Sequence, residues 1–76
     1  MSMGNKLDQK AQIRFGKRVR EVRKEKGMSQ EDLALEIGMD LTSINEIEMG
    51  HRSPKLITVK KIAKALGVSS SSLLDF

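Results

Sequence analysis

Three features of the sequence predict an all-α fold of five short helices. Apolar residues recur at three- and four-residue steps in successive segments, the spacing of one helix face. Four of those segments stop at a glycine: Gly27, Gly38, Gly50 and Gly67. Nothing alternates as a strand does except Leu56–Val59, and that piece sits in a run long enough to favour helix. A chain of 76 residues makes one small domain. Residues 1–8 are expected as a flexible N-terminal segment and 9–76 as the folded unit.

Helix 1 is expected from Gln9 or Lys10 to Lys26, with Phe15, Val19 and Val22 facing inward and Ile13 as a possible extension of that stripe. Gly16 lies inside it and weakens it by about 1 kcal/mol relative to alanine. Helix 2 is expected over Gln30–Ile37. Ser29 precedes it and Asp32 follows three residues later, a capping-box pattern. Helix 3 is expected over Leu41–Met49, capped by Asp40, with Ile44 and Ile47 inward. Ala34 is small where helices 2 and 3 must cross. Helix 4 is expected over Leu56–Leu66 with Leu56, Val59, Ile62, Ala63 and Leu66 inward. Val68 then plugs the core, and one of Ser69–Ser71 caps a short fifth helix reaching Leu74, with Leu73 turned to the core.

Helices 2 and 3, joined by a short turn containing Gly38, have the form of a helix-turn-helix unit, whose second helix commonly enters the DNA major groove. The run Gly27-Met28-Ser29-Gln30-Glu31-Asp32-Leu33-Ala34 is followed by Gly38, Ile44, Ile47-Glu48-x-Gly50 and Ser53-Pro54, then Ala63-x-Ala65-Leu66-Gly67-Val68-Ser69. Together these resemble the Cro/phage-repressor helix-turn-helix family over about Phe15 to Leu74. The resemblance implies a five-helix, lambda-repressor-like domain that binds operator DNA as a homodimer. Family members include phage repressors, restriction–modification controller proteins and some antitoxins. Controllers often carry Arg at the position of Leu41; this sequence departs from them there, so a guanine contact by that Arg does not carry over from the resemblance.

The net charge of +4 is unevenly placed. Residues 1–27 carry nine Lys/Arg and three acids, residues 28–50 six acids and no Lys or Arg, and residues 51–76 five bases and one acid. The basic flanks suit phosphate. The acidic centre opposes it, unless its acids lie on rear faces or leave only Asp40 and Glu46 near the groove. Catalytic readings lack parts: His51 is the only histidine, there is no cysteine, and no Gly-rich phosphate loop follows a strand. No enzyme activity, metal or cofactor is expected. No apolar run approaches the ~18 residues a membrane span needs, and the N-terminus lacks the apolar region of a secretory signal. A cytoplasmic, reducing location is expected.

Three layers of DNA contact are expected. Ser29 and Gln30 open helix 2, where free N–H groups favour an anion, and the resemblance implies a phosphate contact for Gln30. Arg52 and Lys55 follow helix 3 and are placed to grip the backbone across the groove. Base reading falls to Leu41, Thr42, Asn45 and Glu46 on the outer face of helix 3: Asn suits adenine, Thr and Leu a thymine methyl, Glu the cytosine amino group. The resemblance also pairs Glu48 with Arg23, which would tie helix 1 to helix 3 and turn Arg23 toward phosphate. Apolar residues left over from the core, Ile57, Leu74 and Phe76, are expected to form the dimer interface. A DNA-binding regulator of transcription follows, with RNA polymerase as a further possible partner. The alternative is a protein–protein module such as an antitoxin, for which Leu74 and Phe76 would capture the toxin.

Overall fold

In a computed structural model, which describes residues 8–74, the helices are α1 (Gln9–Glu25), α2 (Gln30–Ile37), α3 (Leu41–Glu48), α4 (Leu56–Leu66) and α5 (Ser70–Leu73). The expected boundaries hold to within a residue. Lys26, Met49 and Leu74, expected as last residues, are the C-caps. Residues 1–7 and the dimer candidate Phe76 lie outside the described residues. Asp8, assigned above to the tail, belongs to the domain: its carboxylate accepts from the Ala11 amide at 2.8 Å and caps α1.

The start of each helix has a local cause. Ser29 and Asp32 cap α2 reciprocally, each side chain accepting the other's backbone N–H at 2.9 Å. Asp40 caps α3 by accepting from the Ser43 amide at 2.7 Å. Ser69 caps α5. Gly38 ends α2 at φ 71°, in the left-handed region, and the Met39 amide returns to the Ala34 carbonyl at 2.9 Å. That turn swings the chain so that α3 crosses α2.

α1 packs on α3, while α4 closes the other side against α2 and α5. Phe15, Val19, Leu33, Ile62 and Leu73 are fully enclosed between them, with Val22, Ala34, Ile37, Ile44, Ile47, Val59, Ala63 and Leu66 completing the core. Three expectations change. Leu56 is 54% exposed. Three-residue steps fall short of a 3.6-residue turn, so the inward series Leu66–Ala63–Val59 has rotated off the core by the first residue of α4. Ile13 is likewise exposed, and Val68 covers the rim rather than plugging the centre, which Leu73 fills.

Gly16 is more than a weak point of α1. A Cβ there would lie 2.7 Å from the Glu48 carbonyl oxygen and closer still to that of Ile47. The missing side chain lets α1 lie directly against the C-terminal end of α3.

Candidate nucleic-acid interface

That close approach sets the geometry of the site. It brings Arg23, one face along α1 from Gly16, against Glu48 at the end of α3. The guanidinium meets the carboxylate with two hydrogen bonds: Nε donates to Oε2 at 2.6 Å and Nη2 to Oε1 at 3.0 Å. Nη1 donates to the Met28 carbonyl at 2.7 Å. Both residues are 6% exposed. The expected pairing is present, but the expected turn of Arg23 toward phosphate is not what its burial favours, because three of its nitrogens already serve protein acceptors.

Glu48 also reaches outward. Its Oε1 accepts from Gln30 Nε2 at 3.0 Å, and Gln30 Oε1 in turn accepts from Asn45 Nδ2 at 3.4 Å. A polar chain therefore runs from the buried ion pair to the exposed face of α3. It joins one expected phosphate contact, Gln30, to one expected base reader, Asn45. These residues, with Ser29, Leu41 and Arg20, line an open depression of about 510 Å³. Leu41, Thr42 and Asn45 all face solvent there or beside it.

The other candidates fall in a second cluster. Arg52 donates from Nη1 to Ser43 Oγ at 2.6 Å and lies 3.5 Å from Glu46 Oε1. Both charged side chains are nearly half exposed, so the pair is loosely held and screened by water. An expected phosphate contact and an expected base reader thus face each other in the unbound protein. Lys55 is exposed at the start of α4, and its side chain makes no capping hydrogen bond.

The acidic centre of the chain is largely accounted for. Glu48 is in the buried pair, Glu46 faces Arg52, and Asp32 and Asp40 are helix caps. The Ser29 backbone amide, then its hydroxyl, holds the Asp32 carboxyl below its ordinary value. For Asp40 the Ser43 backbone and side chain do the same, helped slightly by Arg52. Glu31 departs from expectation, since it lines the depression rather than a rear face.

Two site residues escaped the reading of the sequence. Arg20 precedes Arg23 by three, so it shares that helix face and would have followed once Arg23 was placed. Ser43, which seats Arg52, had no signal, because the contact spans the loop after α3. Among the described residues no group of His, Cys, Asp or Glu is placed to hold a metal ion.

Two short helices crossing at a three-residue turn, the second with an exposed polar face beside basic flanks, define a helix-turn-helix protein of the DNA-binding, transcription-regulating class. The chain belongs to the HTH_3 helix-turn-helix family, whose profile matches residues 19–73. It is similar to the control protein C.BamHI of Bacillus amyloliquefaciens, 49% identical over 63 residues that cover 82% of this chain and 78% of that one. It is similar also to the control protein C.MunI of a Mycoplasma species, 41% identical over 64 residues, 83% of this chain and 86% of that one. Among solved structures, the restriction-modification controller protein C.AhdI from Aeromonas hydrophila superposes with a TM-score of 0.78 at 39% identity, over 80% of this chain and 92% of that one.

Proposed function

We propose that this protein is a restriction–modification controller that binds a pseudo-palindromic operator as a homodimer. The observation that carries the reading is the exposed face of α3, where Thr42 and Asn45 stand beside a buried ion pair that fixes the angle between α1 and α3. The likeness to named controllers over most of both chains supports the same branch. In this reading α3 lies in the major groove. Asn45 and Thr42 read bases, Leu41 packs on a thymine methyl, and Glu46 reads only if Arg52 releases it to grip phosphate. Ser29, Gln30, Arg52 and Lys55 hold the DNA backbone, and Arg20 joins them from α1. Arg23 acts from inside, by holding Glu48.

The dimer forms through the start of α4 and the C-terminal end. Ile57 is 58% exposed, and Leu56 adds an apolar neighbour at 54%. Leu74 is half-buried against the core and is the C-terminal residue assigned to the interface. A two-fold contact repeats the same patch on both copies and matches a palindromic site. The protein acts in the cytoplasm, and none of its described helices is long and apolar enough to cross a membrane. RNA polymerase is a second partner, met at α2, where Leu35 is 86% exposed beside Asp32 and Glu36.

Selection of bound duplexes from a random pool, followed by binding across a salt series, tests the reading. A two-fold repeated motif is expected, with half-sites about one helical turn apart and affinity falling steeply with salt. Recovery of no motif refutes it.

A further inference from the structure

We infer that the charge on Glu48, acting through Gln30, fixes which way the Asn45 amide points and so makes Asn45 a reader of adenine that rejects guanine. This rests on the reading above, that α3 enters the major groove. The argument begins with what each atom is able to do. A carboxylate in an ion pair offers acceptors only. Glu48 Oε2 is taken by Arg23 Nε at 2.6 Å, and Oε1 receives Arg23 Nη2 and a Gln30 side-chain atom, each at 3.0 Å. That Gln30 atom must be the nitrogen, since an oxygen there would set acceptor against acceptor. The Gln30 oxygen is then the atom turned to α3. Asn45 meets it at 3.4 Å, and only the Asn45 nitrogen is able to donate to it.

The orientation of both amides thus follows from one buried charge. Arg23 keeps that charge from rotating, because its third nitrogen is tied to the Met28 carbonyl at 2.7 Å. Gln30 and Glu48 are positioning residues, and Asn45 is the reader they position.

The consequence is a specificity. One Nδ2 hydrogen of Asn45 is committed to Gln30, which leaves one donor and the Oδ1 acceptor for DNA. Adenine offers the complement in the major groove, the N7 acceptor beside the N6 amino donor. Guanine offers two acceptors, N7 and O6, and needs two donors from the same nitrogen. An Asn45 released from Gln30 has both hydrogens free and satisfies guanine as well. The 3.4 Å bond is the longer of the two links from Glu48 to Asn45 and shares no atom with the buried pair, so removing it changes the selectivity while Arg23 and Glu48 keep their own two bonds.

Gln30→Met tests this, because it keeps the length of the side chain and leaves Arg23–Glu48 intact while removing the amide. The base pair read by Asn45 is first located as the position where Asn45→Ala loses its preference. Matched duplexes with adenine or guanine at that position are then compared by competition, with thermal melting to show that the variant is folded. We expect the wild type to prefer adenine, and Gln30→Met to bind every duplex more weakly and to narrow the adenine preference by about fivefold or more. In the free protein, the side-chain amide NMR signals of Asn45 should shift in Gln30→Met and lose their protection from solvent exchange. Uniform weakening with an unchanged adenine-to-guanine ratio would overturn the inference and leave Gln30 a phosphate anchor, with the proposed function intact. A wild type with no sequence preference on any duplex would instead remove the reading beneath it.

Discussion

Arg23 and Glu48 face each other across the α1–α3 crossing in a two-pronged ion pair, 2.6 and 3.0 Å, with side chains 8% and 2% exposed. Breaking it from one side leaves a buried, unpaired charge. Glu48→Ala is therefore expected to destabilise the domain by about 3–5 kcal/mol, read as a lower urea midpoint. Replacing both partners by apolar residues, Arg23→Met with Glu48→Leu, should restore most of that loss, because an apolar pair needs no compensation for desolvation. Equal stability of Glu48→Ala and wild type would make the pair irrelevant to the fold.

Gly16→Ala should destabilise, against helix propensity. Alanine gains about 1 kcal/mol as a helix former. The new Cβ, however, meets the backbone carbonyls of Ile47 and Glu48, which have no rotamer to escape into. Overpacking of this kind costs about 1–3 kcal/mol, and backbone as the obstacle puts this site at the upper end. A raised melting temperature would show that α1 and α3 separate freely.

On the DNA, Thr42→Ala and Asn45→Ala should each cost about 1–3 kcal/mol on the cognate operator and relax base preference at one or two positions. Lys55→Ala should instead weaken all sequences alike and lower the salt slope by about 1. Quantitative binding to the selected operator and its single-base variants separates the two patterns. A Lys55→Ala variant that alters base preference would place Lys55 on a base edge.

Acid should loosen the helix starts. Asp32 and Asp40 have carboxyls held below the ordinary value by hydrogen bonds from Ser29 and Ser43, and both residues are exposed. A carboxyl with a depressed folded-state pKa contributes stability above its unfolded pKa, about 4, and loses it as pH falls through the folded value. Stability should thus be level from neutral pH down to about 5 and then decline. Asp40→Asn, which keeps a capping oxygen without the charge, should show a shallower decline in thermal melts between pH 5 and 2. An acid limb identical to wild type would assign the decline to other carboxylates.

Ile57→Glu should give a folded monomer. The side chain is 58% exposed, so the charge costs the single chain little, while two copies at a two-fold axis repel. Sedimentation should show the loss of the dimer, and operator binding should fall by about 100-fold as the two half-sites cease to be held together. Leu74→Glu is the poorer probe, since Leu74 packs against the core and its loss would also disturb the fold. An Ile57→Glu protein that still dimerises moves the interface elsewhere.

The sequence by itself determined the helices and their ends. Ser29, Asp32, Asp40 and the chain-stopping glycines act within a turn of their own positions, so local chemistry reveals them. The inward stripes of α1 to α4 were legible for the same reason, because a period of 3.6 is a property of one helix alone. The exposure of Thr42 and Asn45, the proposed readers, followed from that stripe, as its opposite face. What only the tertiary structure decided depends on residues far apart in the chain. Gly16 reads as a defect until Ile47 and Glu48 are laid against it. Arg23 reads as a phosphate contact until its burial between Met28 and Glu48 is seen. The exposure of Leu56 depends on where α4 comes to rest, and the pairing of Arg52 with Glu46 on how the loop after α3 folds back. The chain from Glu48 through Gln30 to Asn45 crosses three sequence-distant positions, and hydrogen-bond partners are set by the packing angle of α1, α2 and α3 rather than by any spacing along the chain.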